Sequence, residues 1–261
     1  MGYKQVCVNY FYKFCIFGKY SAPANQLNCL SNTKIMSYFN PAFVKFFKEL
    51  SKNNTTAWFN ENRKTYEKEV KQPFSVFVEA MIQRIQKYEP DIKIKAADAI
   101  MRINKDIRFS KDKTPYNTYV AANISMYGKK DKSYPGFYFQ LSHDKIMMFG
   151  GAYVLETPAL QVLRTNIAKN LSSFAAAYND KIFKQKFGTL QGEQNKRVPE
   201  EFQSIAVKEP LIVNKQFYYS AELKPDILLK KELPDKLMEY YLAGKKMNDF
   251  LRDALNSKKT K

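Results

Sequence analysis

Tyr119-Val120-Ala121-Ala122-Asn123-Ile124-Ser125-Met126 and Phe137-Tyr138-Phe139-Gln140-Leu141 are the residues whose reading decides the fold. In the first run Val120, Ala122, Ile124 and Met126 alternate with Tyr119, Ala121, Asn123 and Ser125. In the second, Phe137, Phe139 and Leu141 alternate with Tyr138 and Gln140. A period of two sends successive side chains to opposite faces of a strand. Gly128 to Gly136 lies between them and reads as a long hairpin connection. Ile146 to Phe149 supplies a further strand after a turn at His143-Asp144. Met101 to Phe109 supplies another, because Met101, Ile103, Ile107 and Phe109 alternate with Arg102, Asn104, Asp106 and Arg108. At least four strands in a largely antiparallel sheet are expected.

Outward from this centre the period becomes helical. Asn40 is a capping residue, Pro41 suits the first helical position, and Phe43, Phe46, Phe47 and Leu50 fall on one face. After Asn53-Asn54-Thr55, the residues Trp58, Phe59, Tyr66 and Val70 predict a second helix reaching Pro73. Phe74, Phe77, Val78, Met81, Ile82, Ile85 and Tyr88 form a third stripe, ended by Pro90. Thr157-Pro158 opens a helix marked by Leu160, Leu163, Ile167, Leu171 and Phe174. Gly188 to Pro199 reads as a polar loop, Ile212 to Tyr219 as a further strand, and Leu233 to Leu255 as one or two closing helices interrupted near Gly244. The fold class is α+β, a largely antiparallel sheet packed against N-terminal and C-terminal helices.

Residues 1–35 differ from the rest. They hold all three cysteines (Cys7, Cys15, Cys29), four lysines and no acid, without a clean period. They read as an upstream extension or disordered arm ahead of a single α+β domain at 36–261, with a targeting segment as the alternative because Ala22-Pro23-Ala24 resembles a cleavage site. A cysteine-free body removes disulfides and thiolate catalysis, and the cytoplasm is the expected compartment. No apolar run reaches the roughly 18 residues a spanning helix needs. Hydrophobic content of 45% and aromatic content of 15% argue for a folded protein. A net charge of +18 favours polyanionic partners, although a solvated basic surface gives the same number.

Chemistry concentrates in Arg102-Ile103-Asn104-Lys105-Asp106-Ile107-Arg108-Phe109-Ser110-Lys111-Asp112-Lys113-Thr114-Pro115-Tyr116. In one reading Arg102 and Arg108 recognise a phosphate or carboxylate through their planar forks, and Lys111 and Lys113 add charge. Asp106 or Asp112 would then move a proton or hold a divalent ion, and Tyr116 would close the site. In a competing reading the two aspartates pair with Arg102, Arg108 or Lys113, and the segment is a clamp that specifies the fold. A nucleic-acid module would use the same arginines with Lys129, Lys130 and Lys132, and Tyr119, Tyr127, Tyr134 or Tyr138 for stacking. A concave cluster separates the small anionic ligand from the continuous basic stripe that a strand would need. His143 is the only histidine and reads as a turn residue; the sequence names no metal, cofactor or oligomeric state. Gly150-Gly151, ahead of the helix at Thr157, would offer backbone amides to an anion or make a simple turn.

The chain resembles a family of bacterial and fungal proteins, the domain of unknown function 2461 family. The resemblance rests on the segment from Arg102 to Tyr116, with its Arg-Phe-Ser-x-Asp-Lys-x-Pro-Tyr core. Phe46 to Leu50, Asn54 to Phe59 and Tyr66 support it upstream, as do Gly150-Gly151, Pro158, Leu163 and Arg164 downstream. It spans about residues 38 to 256 and implies one α+β domain starting near Met36, with no activity to carry over. Arg164 joins Gly150 and Gly151 in the expected ligand-binding set. Lys105 stands where the family pattern has arginine, which keeps the charge and loses the fork.

Overall fold

A computed structural model describes residues 37–256, Lys132 excepted. Expectations for residues 1–35, and for Lys132, lie outside the described residues. Asn40 caps the first helix, α1 (Pro41–Leu50), its Oδ1 accepting from the amides of Ala42 and Phe43. Thr55 caps α2 (Thr56–Glu61). The expected stop at Pro73 is absent. Proline lacks an N–H and its ring collides with the carbonyl four residues back. The stretch Tyr66–Lys71 widens into π-helical geometry, and the chain passes without a break into α3 (Gln72–Gln86).

The fold is α+β. Four strands, β1 (Tyr119–Ile124), β2 (Gly136–Ser142), β3 (Ile146–Ala152) and β4 (Phe217–Leu223), form one antiparallel sheet in the order β1-β2-β3-β4. A short helix, α4 (Ala96–Ala99), precedes them. Between β3 and β4 run α5 (Thr157–Lys169), α6 (Leu171–Tyr178), α7 (Lys181–Phe187) and α8 (Glu200–Lys208); α9 (Leu233–Asn256) closes the chain. One sheet face is the core. Phe139 meets Phe77 and Phe74 of α3 edge-on at 5.8 and 6.2 Å, and Phe137 meets Tyr241 of α9 at 5.8 Å. On the other face Tyr119, Asn123, Tyr138, Gln140, Phe149 and Tyr218 are only half-buried.

Several expected elements are corrected. Met101 to Phe109 is not a strand. Ile100 and Asn104 make isolated bridges to Ala122 and Tyr116, and the chain then leaves the sheet. Phe109, expected in the core, is 93% exposed. Side-chain oxygens cause the departure: Asp106, Ser110 and Asp112 accept from the amides of Arg108, Asp112 and Thr114, offering the backbone a turn instead of a ladder. Gly150-Gly151 lies inside β3 instead of following it. The last strand begins at Phe217, not Ile212, because Pro210–Val213 winds into a 3-10 turn. A comparable pair of bridges, Gln191 to Tyr218 and Gln194 to Asn214, borders β4.

Gly244 does not interrupt α9, which runs unbroken for 24 residues. The phenol of Tyr219 fills the space where a β-carbon at Gly244 or at Gly150 would stand, and its hydroxyl donates to the Gly244 carbonyl at 3.0 Å. Glycine here serves helix-to-sheet packing.

Candidate functional site

The signature segment is an antiparallel pair of arms closed by a loop. Lys105 N–H donates to the Pro115 carbonyl at 2.9 Å and Asn117 N–H to that of Ile103 at 2.8 Å. Its far end is anchored in the helical layer. Asn54 accepts from the Tyr116 amide at 3.1 Å and donates to the Tyr116 carbonyl at 2.8 Å, and the buried Tyr116 ring stacks on Phe59 at 4.0 Å. Tyr116 is therefore an anchor of the segment, its ring turned into the core.

Within the loop the ions pair with one another. Arg108 grips Asp106 through Nε (2.9 Å) and Nη2 (2.7 Å), and this contact holds the Asp106 carboxyl below its ordinary range while raising Arg108. Lys105 donates to Asp112 Oδ2 and to the Thr114 hydroxyl, both at 2.7 Å. Lys105 first, then the Thr114 amide and hydroxyl, hold the Asp112 carboxyl well below the usual carboxylate range. Lys113 donates to the Ile107 carbonyl at 2.9 Å. Lys111 is exposed. Arg102 is held more loosely: its side chain is 70% exposed and its Nη2 pairs with Asp106 Oδ2 at 4.0 Å. Two of the three ammonium protons of Lys105 are used, which leaves one free.

Arg102, Asn104, Lys105 and Asp106 line a recess of about 320 Å³, completed by Met101, Asn117, Tyr119, Ala121 and Tyr138. The recess opens along the solvent face of the sheet. Beyond Tyr138 a second, larger cleft of about 480 Å³ is lined by Tyr134, Phe149, Tyr153, Val154 and Tyr218 over Gly136, Gly150 and Gly151. Met101 and Tyr138 line both. Burial pushes the Tyr138 phenol up to about 12, with the Gln140 hydrogen bond acting the other way, so the hydroxyl stays neutral.

The remaining expected residues take other places. Gly150 and Gly151 line the larger cleft, but the Gly151 amide donates to Asn248 Oδ1 at 2.8 Å. Gly151 has φ +91°, which excludes ordinary side chains. Arg164 is buried under the α5 surface and donates to the carbonyls of Ile212, Val213 and Asn214 at 2.9, 3.3 and 3.1 Å. Burial lowers its pKa. His143 sits in the turn between β2 and β3. Lys129 lines the larger cleft and donates to the carbonyls of Ala97 and Ile100, capping α4. Among the described residues no three His, Cys, Asp or Glu side chains gather as a metal site, and no helix is long and apolar enough to cross a membrane.

Sequence reasoning missed Asn248, Phe149, Tyr153, Val154 and Tyr218. Asn248 is buried on α9, where it donates to the Gly136 carbonyl at 3.0 Å and accepts from the Gly151 amide and the Tyr219 hydroxyl. It thus ties together the two strands under the larger cleft. A polar residue on the apolar stripe of α9 was the available signal. A family model described as "Conserved hypothetical protein (DUF2461)" matches residues 42–250. No curated protein and no solved structure matches the chain.

Proposed function

Starting from a chain that belongs to this family, we propose that the recess beside the signature segment binds the phosphate or carboxylate of a small ligand in the cytoplasm. The observation that carries the reading is Arg102. Its neighbours Arg108 and Lys113 are committed to Asp106 and to the Ile107 carbonyl, whereas Arg102 makes only a long ion pair at 4.0 Å and lines the concave recess. Lys105 adds its remaining proton, and Asn104 and Asn117 line the same space. Lys111 supplies long-range charge.

The reading is one of binding. General acids at neutral pH are tuned upward, and the two aspartates of the segment are held downward by cations. A nucleic-acid surface is the second reading, favoured by the rings along the sheet face. Against it, the Lys129 ammonium is engaged by two backbone carbonyls.

Calorimetry with inorganic phosphate and pyrophosphate, with a short single-stranded oligonucleotide at two salt concentrations, tests the reading. Arg102→Ala is expected to weaken phosphate binding by about 1.5–3 kcal/mol, the worth of a charge-assisted hydrogen bond, with an unchanged melting temperature. Equal phosphate affinity in the variant would overturn it. Tight, steeply salt-dependent oligonucleotide binding without phosphate binding would favour the second reading.

A further inference from the structure

We propose that the larger cleft seats a flat aromatic ring, so that the ligand is an aromatic anion whose charged group occupies the neighbouring recess. The anion half rests on the function proposed above; the ring half rests on the cleft alone.

Strand register builds the cleft. Asn123, Tyr138, Phe149 and Ser220 lie opposite one another across the four strands, and Gly136, Gly151 and Tyr218 form the next row. Neither glycine brings a side chain to this row: a β-carbon at Gly136 would run into Ser125 and Asn123, and one at Gly151 into the Phe217 carbonyl, so the floor of the cleft is bare backbone. Rings frame that floor. Tyr138 and Phe149 meet edge-on at 5.7 Å on one side, and Tyr153 and Tyr218 at 5.2 Å on the other. Tyr153 and Val154 remain 61% and 45% exposed at the rim, a concentration of apolar surface that a monomer gains nothing by showing to water.

Size and charge select the occupant. A volume of about 480 Å³ is that of a small-molecule site. Flat walls favour a ring over a branched aliphatic group, since aromatic side chains gain by offset stacking or edge contact. The shared residues Met101 and Tyr138 make the two spaces neighbours, with Arg102 and Lys105 lining the recess. A ring carrying one phosphate or carboxylate matches both halves.

Calorimetry on the full chain would compare phenyl phosphate, 1-naphthyl phosphate and adenosine monophosphate with inorganic phosphate, ribose 5-phosphate and adenosine. At least one aromatic phosphate is expected to bind about tenfold or more tighter than inorganic phosphate, on the scale of ring stacking. Tyr153→Ala, outside the strands, and Tyr218→Ala are each expected to remove that increment and to leave inorganic phosphate binding intact. Aromatic phosphates no tighter than inorganic phosphate, or an increment that survives both substitutions, would overturn the inference while the anion site stands. Binding of adenosine that depends on Tyr153 and ignores Arg102, with no phosphate binding, would keep the ring site and overturn the anion reading. Oligonucleotide binding lost in Tyr218→Ala, with no small ring bound, would replace the small ligand by a strand.

Discussion

Arg108 closes on Asp106 through two hydrogen bonds, at 2.9 and 2.7 Å, and so spends inside its own loop the fork that the sequence suggested would face a ligand. Both side chains are substantially exposed. Their pairing shapes the loop and leaves Arg102 as the guanidinium open to the recess.

Replacing Arg108 with Lys keeps the charge and loses the two-point grip. The Asp106 carboxyl is then expected to titrate closer to its ordinary value of 3.8, whereas in the parent it stays ionised below that. Because the folded-state value is depressed, the pair's small contribution is present above the unfolded carboxyl's pKa and fades as pH falls through the folded one. Carbon-detected NMR of the side-chain carboxyl checks this; identical titrations would show that the fork does not set the ionisation.

Asn248→Ala strands the Gly151 amide and the Gly136 carbonyl in the interior, while the Tyr219 hydroxyl keeps the Gly244 carbonyl. A loss of about 2–4 kcal/mol in denaturant unfolding is expected, from the cost of unsatisfied buried polar groups. A change below measurement error would mean that water replaces the carboxamide.

Arg164→Ala removes a buried guanidinium from three carbonyls and opens a cavity, a loss of roughly 3–5 kcal/mol. Phosphate affinity of the folded fraction should be unaltered. Lost phosphate binding in a protein of parental stability would return Arg164 to the ligand set.

At Gly244 two effects oppose. Alanine favours a helix interior by about 1 kcal/mol, but the added carbon runs into the Tyr219 phenol, and overpacking of this kind costs about 1–3 kcal/mol. Net destabilisation of Gly244→Ala is expected in thermal melts. A higher melting temperature would show that Tyr219 has room to retreat.

Deleting residues 1–35 is expected to leave the melting temperature unchanged, because every periodic segment of the sequence begins after Met36. Loss of soluble protein on truncation would count against Met36 as the start of the folding unit.

Local signals carried much of the architecture. Asn40-Pro41 announced a cap that forms, and Phe137, Phe139 and Leu141 alternated because one face of β2 is core. Two of the misreadings share a cause: the deciding partner is distant in sequence. Gly244 looks like a breaker until Tyr219 fills its missing side chain. Arg164 looks available until the carbonyls after Pro210 reach it. Phe109 differs, since the alternation that it continues is ended locally by the turn-forming side chain of Asp106. Distance also hid the cleft, since Gly136, Gly151 and Tyr218 become neighbours only through strand register.

The bridges beside the outer strands bear on how this protein behaves when crowded. A free strand edge offers unpaired amides and carbonyls to any extended segment that arrives, the usual opening for aggregation and strand exchange. Here Ile100 bridges to Ala122 on the outer border of β1 and Gln191 to Tyr218 on that of β4, while the Asn104–Tyr116 and Gln194–Asn214 bridges lie just beyond those strands. Each is too short to be a strand, yet each takes hydrogen-bonding positions that a second chain would need. Each edge of the sheet is thereby partly covered while its face stays open, which narrows the room for strand addition and leaves ligand-sized molecules access.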